Sequence, residues 1–426
     1  MMAAVLPVII NFLVIFLLCF WMWKKQDLRL RPYFWPALVL KIGAGITLGL
    51  LYKYYYSVGD TFIFFEDANK LTDLFWITPG TYFNILLTGD ESDLVGNALI
   101  NTQSRSLFLV KIVSLINLFT GNNYWITCSY FSLVSFWSAF LLFQKVAITF
   151  PGSKLAAAIA FLFFPSIVFW SSGIIKESVA LAGLFLLSRV SLTLLTNSKP
   201  FWWEWILALG STIVVWNLKY YWMAVFVPVA LTTLLIHFIT QGKELKTGIK
   251  ILLWIIAFLL FCFGVTLVHP NFYLENFLQV LVENYNQFIR ISPEGIVIYY
   301  QLEPSWWSVF LNSPLALVSG LFRPFIWEVS NFLQVIVAIE NLFIFILFAT
   351  TFIRFRSIGQ SPHRLLIFSV VVYIVILCVF LSLSTPNLGT LARYKVGFQP
   401  FLVFLLCMDN FLLDWIKLRL KQASLH

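Results

Sequence analysis

Charged side chains are scarce in this sequence of 426 residues: aspartate, glutamate, lysine and arginine make up 11% of it, whereas 60% of the residues are hydrophobic. Such a chain, with a mean hydropathy of +0.88, could not cover a water-soluble globule with polar groups, so a soluble protein is excluded. Histidine and cysteine are also rare, with four and five residues. Because the histidines lie far apart and the cysteines are scattered through apolar stretches, neither a disulfide framework nor a zinc site is predicted.

The sequence does contain a series of long apolar runs. A transmembrane helix needs about 20 consecutive apolar residues, and about eleven runs approach this length. These runs are 4–23, 36–57, 124–144, 155–172, 178–196, 202–217, 220–240, 250–268, 326–353, 365–384 and 397–415. Because an open sheet cannot satisfy its backbone hydrogen bonds in lipid, we predict an all-α polytopic membrane protein. It would form one transmembrane domain over 1–426, with about 11 transmembrane helices.

Basic residues predict the orientation of the chain in the membrane. Lys24 and Lys25 follow the first run, which has no small-residue cleavage site, and cytoplasmic loops are rich in lysine and arginine. We therefore expect an uncleaved first helix, an N-terminus outside and a cytoplasmic C-terminus, in the inner (plasma) membrane. The net charge of +9 follows from this bias, with membrane lipid as a partner and no nucleic acid.

Two predicted outer segments, 58–123 and 269–305, are long enough to hold structure of their own. In the first, apolar residues recur with helical spacing over 62–76, which predicts an amphipathic helix along the outer interface. The stretch 106–119 predicts a second interfacial helix that leads into the third span. The apolar stretch 306–322 is too short to span the bilayer and is predicted to lie in the interface or to re-enter.

Acidic residues are concentrated where the second run ends. Glu66 and Asp73 fall on the polar face of the predicted helix, whereas Asp67 falls on its apolar side, and Asp60 precedes it. One interpretation is that Asp60 only caps the helix and Asp67 only meets a polar partner. The other is that one of the two is a general base, because a carboxylate in a partly dry site has its pKa raised toward the working pH.

A second charged motif lies between the runs 155–172 and 178–196, where Lys176 and Glu177 occupy a predicted short outer turn. A tight turn usually needs only glycine, serine or asparagine, so this pair exceeds what the turn requires. The pair has either a functional role or a structural one. The structural role would be that of an ion pair at the interface, or of a glutamate at a helix start, where the helix dipole favours a negative charge.

Cations on the predicted outer side form a third group, because they run against the positive-inside bias. Arg393, Tyr394 and Lys395 lie just before the last run, and Lys219 and Arg323 are further outer-side cations. Arginine can hold a lipid phosphate with its bidentate fork and lysine can hold it as a point charge. Each cation alone could equally extend along apolar surface to reach water.

Three motifs in order along the chain resemble those of the GT-C superfamily of integral-membrane glycosyltransferases, which use polyprenyl-phosphate sugars. The motifs are Asp60 with Phe64 and Ala68, Pro165 with Glu177-Ser178, and Arg393-Tyr394 with Pro400. They cover the chain from about residue 40 to 410, and the second is most similar to mannosyltransferases of glycolipid assembly. The chain departs from the pattern in three respects. The family aspartate usually follows the first span, so 4–23 would be an added helix. Glu66-Asp67 only approximates the acid pairs (Asp-x-Asp or Asp-Glu) of many members, and the soluble outer domain that most members append is not predicted here.

The resemblance implies transfer of a sugar from a polyprenyl-phosphate donor to a lipid, glycan or protein acceptor at the outer (periplasmic) face. The catalytic candidates are Asp60, Asp67 and Glu177. The candidates for binding substrate or lipid phosphate are Lys176, Lys219, Arg323, Arg393, Tyr394 and Lys395. No cofactor is required, because these cations can stabilise the leaving phosphate; a divalent cation such as Mg²⁺ or Mn²⁺ at the acidic cluster is compatible with this chemistry.

Two other functions stay open. A polysaccharide polymerase that joins diphosphate-linked repeat units would depend on outer-side arginines, here Arg290, Arg323 and Arg393. A transporter or flippase for lipid-linked glycans would need a polar group within the membrane. Glu340, in the middle of a predicted span and next to Asn341, is such a group, although packing against a polar neighbour would also explain it.

Overall fold

The structure of the protein is a computed structural model that describes residues 2–56, 59–88, 99–268, 273–292, 297–351 and 363–416. Parts of both predicted outer segments, and the predicted cytoplasmic tail from 417 onward, therefore lie outside the described residues. The described chain is built of helices, and its one pairing of extended segments is an isolated bridge between Val297 and Asn387.

The helices follow one another with short connections. The first are α1 (Met2–Lys24), α2 (Arg31–Tyr54), α3 (Asp60–Ile77), α4 (Pro79–Thr88), α5 (Ser104–Thr120), α6 (Tyr124–Thr149), α7 (Lys154–Ala158), α8 (Pro165–Trp170) and α9 (Lys176–Leu195). The remainder are α10 (Trp202–Thr240), α11 (Thr247–Val268), α12 (Leu274–Ile291), α13 (Trp306–Phe322), α14 (Phe332–Thr351), α15 (Arg364–Ser384), α16 (Leu388–Tyr394) and α17 (Gln399–Cys407). A π-helical turn (Ile159–Phe163) follows α7, and 3₁₀ turns lie at Ile326–Glu328 and Lys395–Gly397.

Eight helices in the described part of the chain are long and apolar enough to cross a membrane: α1, α2, α6, α9, α10, α11, α14 and α15. This confirms an all-α membrane protein. Apolar side chains on α11, such as Leu259, Leu260 and Phe263, are more than half exposed. Because water would not tolerate such a surface, these side chains contact membrane lipid.

The eight helices differ from the eleven predicted runs at three places. The runs 202–217 and 220–240 both lie within α10, as two helical parts separated at Lys219, where the backbone leaves helical geometry. The run 155–172 is divided into α7, a π-helical turn and α8, with the break at Pro165. The run 397–415 begins with α17, which has only nine residues. A proline inside a run removes a backbone donor and clashes with the preceding turn, which a hydropathy average does not register.

The described chain divides into two compact units. The first unit comprises Met1–Lys145, Ile167–Val190 and Pro200–Tyr220, and the second comprises Val146–Ser166, Ser191–Lys199 and Tyr221–His426.

In the first unit, an aromatic core joins α2 to α6. The ring of Phe34 packs edge-on against Phe136 and Phe140, with centroid distances of 5.0 and 5.2 Å. Next to this core, α3 packs along α5, and Asn117 Nδ2 donates to Asn69 Oδ1 at 2.8 Å. The two predicted helices of the first outer segment are therefore confirmed as helices, and they are folded onto each other.

In the second unit, small residues let helices approach closely. Gly320 of α13 faces α15, where a Cβ atom would overlap Cys378 Sγ and Ser382 Oγ. The π-helical turn packs on α17 through Phe161 and Phe404, whose ring centroids lie 5.8 Å apart. Four of the five cysteines are buried, and Cys262 is partly exposed.

Candidate functional site

The acid-bearing helix α3 begins two residues earlier than predicted. Asp60 is its first residue, and the preceding Gly59 occupies the N-cap position without a side-chain hydrogen bond. The N-cap interpretation of Asp60 is therefore wrong, because a cap residue must stand outside the first helical turn. Its side chain is exposed, and the helix dipole favours a carboxylate at this end.

Asp67 is completely buried, with 0% of its surface exposed, as its place on the apolar side predicted. Its carboxylate accepts hydrogen bonds from the backbone N–H of Ile100 at 3.1 Å and of Asn101 at 2.9 Å. It also accepts from Asn101 Nδ2 at 2.9 Å and forms an ion pair with Lys70 at 3.2 Å. Both carboxylate oxygens are thus occupied in fastening the chain around residue 100 to α3.

The turn between α8 and α9 is buried in the first unit. All five residues from Ser171 to Ile175 are buried. Gly173 has a positive φ of 72° and lies close to α2, since a Cβ atom on it would be 3.5 Å from the carbonyl oxygen of Gly45. Its N–H donates to Ser132 Oγ on α6 at 3.1 Å. Gly45 is nine residues before the end of α2, so the turn lies about 14 Å along the axis from that end.

Lys176, the first residue of α9, connects this turn to α3 and α5. Its ammonium donates to Ser106 Oγ at 2.8 Å and lies 5.3 Å from the centroid of the Phe64 ring, a cation–π distance. Phe64 follows Asp60 by one turn on the same face of α3. The Asp60 Cα and the Lys176 Nζ are therefore at most about 15 Å apart.

Glu177 and Lys219 form a buried ion pair in the first unit. The distance between Glu177 Oε1 and Lys219 Nζ is 2.6 Å, and 0% and 5% of the two side chains are exposed. Lys219 is also the residue at which α10 departs from helical geometry. A predicted catalytic residue and a predicted phosphate ligand are thus brought together, and each neutralises the other.

Two cations of this unit were missed from the sequence. Arg105, next to Ser106, is exposed, and its guanidinium carbon lies 4.5 Å from the centroid of the Tyr220 ring. It was detectable by the rule applied to Lys219, because it too is a cation in a predicted outer segment. Lys41 lies inside α2 and is buried; an ionisable residue in an apolar run was the signal for it.

The second unit brings together Arg323 and Lys395. The buried Lys395 ammonium donates to the backbone carbonyl of Arg323 at 2.6 Å. Burial lowers the pKa of Lys395 to about 8, although the Glu340 carboxylate opposes the shift. Arg323 itself forms an ion pair with Glu328, at 2.5 Å from Nη2 to Oε1. The charge of Arg323 is therefore partly compensated.

Arg393 and Tyr394 lie at the end of α16, immediately before Lys395. Both side chains are half-buried, and the Tyr394 ring lies 6.4 Å from the ring of Tyr221. Within this unit, three of the predicted phosphate-binding residues thus follow one another in the chain.

Glu340, the intramembrane acid, is buried on α14. It accepts a hydrogen bond from the Ser166 backbone N–H at 2.8 Å and another from the Ser166 hydroxyl. The neighbouring Asn341 donates to the carbonyl of Pro324 at 3.1 Å. Two neighbouring polar residues of α14 therefore form hydrogen bonds with backbone groups at two places where helices are interrupted, Pro165–Ser166 and Arg323–Pro324.

Among the described residues, no three histidine, cysteine, aspartate or glutamate side chains are close enough together to hold a metal ion. In comparisons with known proteins, no family model, curated protein or solved structure matches the chain. The geometry of the site residues therefore carries the functional proposal.

Proposed function

We propose that this chain is a GT-C-type membrane glycosyltransferase that transfers a sugar from a polyprenyl-phosphate donor to an acceptor at the outer face. Its roughly 11 membrane segments would leave the N-terminus outside and the C-terminus in the cytoplasm. One observation carries the proposal: Lys176 lies against Phe64, one helical turn from Asp60. A cation suited to a phosphate and a carboxylate suited to a hydroxyl, from distant parts of the chain, are thus at most about 15 Å apart, which supports the proposal.

Asp60 is the proposed general base. Of the three candidate acids it is the exposed one, whereas Asp67 and Glu177 are completely buried. The Asp60 carboxylate takes the proton of the acceptor hydroxyl while the acceptor oxygen bonds to the anomeric carbon. The bond from that carbon to the phosphate oxygen breaks, its electron pair stays on the phosphate, and the configuration of the sugar is inverted.

Lys176 is the proposed ligand of the leaving phosphate. Its fixed ammonium, held by Ser106, stabilises the negative charge that develops on the phosphate as the bond breaks. Arg105 provides a second cation next to Ser106. Lys219 has a structural role in this proposal, because its charge is used by Glu177.

In the second unit, Arg393 and Tyr394 stay candidates for binding a lipid phosphate, since both are half-buried. Lys395 and Arg323 are proposed to have a structural role next to them. The Lys395 ammonium donates to a backbone carbonyl, and the Arg323 guanidinium is paired with Glu328. The pairing of Arg323 also gives no support to the polymerase alternative, which needs that arginine for substrate.

The test is release of polyprenyl phosphate from a radiolabelled polyprenyl-phosphate sugar, with the protein in lipid nanodiscs and a panel of sugars and acceptors. We expect turnover by the wild type and a loss of at least about 100-fold in Asp60→Asn, in line with the contribution of a general base. Asp73→Asn is the matched control, because Asp73 is an exposed acid of the same helix. Equal turnover in wild type and Asp60→Asn would contradict the assignment of the base.

A transporter of lipid-linked glycans is the second candidate, favoured by Glu340. Helix breaks with polar partners at membrane depth line substrate paths in many transporters, and Glu340 and Asn341 contact two such breaks. In proteoliposomes, this candidate predicts glycan-lipid translocation that is lost in Glu340→Gln and unchanged in Asp60→Asn. The glycosyltransferase proposal instead predicts that sugar transfer is lost in Asp60→Asn.

A further inference from the structure

Lys41 is a lysine in the interior of a membrane helix. It lies ten residues into α2, about 15 Å along the axis from Arg31 and about 20 Å from Tyr54. Only 5% of its surface is exposed. Its ammonium donates a hydrogen bond to Ser171 Oγ, and no described carboxylate lies within ion-pair distance of it. A cation at such a depth is costly, which points to a functional reason for it.

The partner of Lys41 begins the buried turn that precedes α9. Ser171 Oγ accepts from Lys41 and in turn donates to the carbonyl of Ile167, in the preceding α8. Two residues later, Gly173 is held by Ser132 of α6. The turn is therefore fastened to α2 by a cation and to α6 by a hydroxyl, and these contacts satisfy groups that have no access to water.

The turn leads directly into Lys176 and Glu177. Because only four residues separate Ser171 from Lys176, a displacement of Ser171 moves the start of α9 and with it the ammonium that contacts Ser106. The Lys41 side chain holds Ser171 by a hydrogen bond that an apolar side chain could not form.

We propose that Lys41 is a positioning residue, which sets the place of Lys176 through Ser171 and the buried turn. This inference rests on the proposed function for the role of Lys176, but the mechanical link from Lys41 to the turn stands on the contacts alone. A reaction whose charged groups are displaced by about 1 Å can lose about 100-fold in rate.

Substitution by methionine separates positioning from simple packing. Methionine has nearly the length of lysine but no charge, and an apolar residue in place of a buried charge is often neutral or stabilising. If Lys41 only fills space, the Lys41→Met protein should therefore have unchanged turnover. If Lys41 positions the turn, the Lys41→Met protein should melt at the same or a higher temperature. Its kcat should be lower by about 100-fold, with KM little changed.

The experiment compares wild type, Lys41→Met, Lys41→Arg and the control Lys53→Met, which removes an exposed lysine from the same helix. Turnover, melting temperature and backbone hydrogen exchange are measured in nanodiscs. We expect Lys41→Met to raise exchange in residues 171–177 at least about 10-fold without changing α6, and Lys41→Arg to recover part of the turnover. If methionine does not fold, Lys41→Gln replaces it in the same comparison.

Unchanged exchange in 171–177, or wild-type kcat in folded Lys41→Met, would overturn the inference. If the wild type transfers no sugar from any donor, the proposed function fails. The exchange measurement then decides alone: faster exchange confined to the turn supports the link from Lys41 to the start of α9, and unchanged exchange overturns it.

Discussion

Glu177 and Lys219 are joined by an ion pair of 2.6 Å with 0% and 5% of their side chains exposed. Each residue is thereby removed from the set of groups available to a substrate. The pair also joins the start of α9 to the kink of α10. A buried charge whose partner is deleted stays uncompensated, so the pair is a sensitive point of the fold.

Breaking this pair should destabilise the protein strongly. We expect Glu177→Gln or Lys219→Met to lower the free energy of unfolding by about 3–5 kcal/mol, because each leaves one buried charge without this partner. The double variant removes both charges of the pair, so it should lower the free energy of unfolding by less than the sum of the two single variants. Thermal unfolding in detergent, evaluated as a double-mutant cycle, measures the coupling. Additive costs would show that the two side chains do not interact.

Asp67→Asn should affect stability more than chemistry. The amide of asparagine is uncharged and has one acceptor oxygen. If that oxygen keeps the N–H groups of Ile100 and Asn101, an NH₂ group replaces Oδ1 and faces the Lys70 ammonium, so the ion pair is lost. The expected cost is about 1–3 kcal/mol, with limited proteolysis near residue 100 faster than in wild type. Turnover per folded molecule should stay within a few-fold of wild type. A loss as large as that of Asp60→Asn would instead move the base to Asp67.

Lys395 should make stability depend on pH above neutrality. Burial lowers the folded-state pKa of Lys395 from 10.5 to about 8. Below about pH 8 the folded protein carries the cost of a buried ammonium. As the pH rises from 8 to 10.5 the folded protein releases this proton while the unfolded chain still binds it, so stability rises. The difference in unfolding free energy between wild type and Lys395→Met, measured from pH 7 to 10.5, should change in this window, and a pH-independent difference would contradict the expectation.

Gly397→Ala should be destabilising because of one aromatic ring. A Cβ atom on Gly397 would lie 2.5 Å from Cε2 of Trp222, whose side chain is completely buried and cannot move into solvent. We expect a cost of about 1–3 kcal/mol from overpacking. Gly264→Ala is the matched control, since a Cβ atom there meets nothing within 4 Å, and alanine favours a helix by up to about 1 kcal/mol. Equal melting temperatures of the two variants would refute the packing argument.

Local pattern in the sequence was sufficient for most of the long helices and for the buried face of α3. The amphipathic spacing over 62–76 corresponds to α3, and the apolar side on which Asp67 was placed is the side that is buried. These features depend on residues three or four positions apart, whose relation a helix sets by itself. The membrane class followed from composition for the same reason, since it needs no knowledge of contacts.

Only the tertiary structure decided what the polar groups do. Glu177 meets Lys219, Asp67 meets the backbone of Ile100 and Asn101, and Lys41 meets Ser171. Each partner comes from a distant part of the chain. The sequence contains many other cations and hydroxyls that could equally well have been the partner of each acid or amine. The break at Pro165 likewise depends on a distant partner, Glu340, because backbone can leave a helix inside a membrane only where other groups of the protein satisfy it.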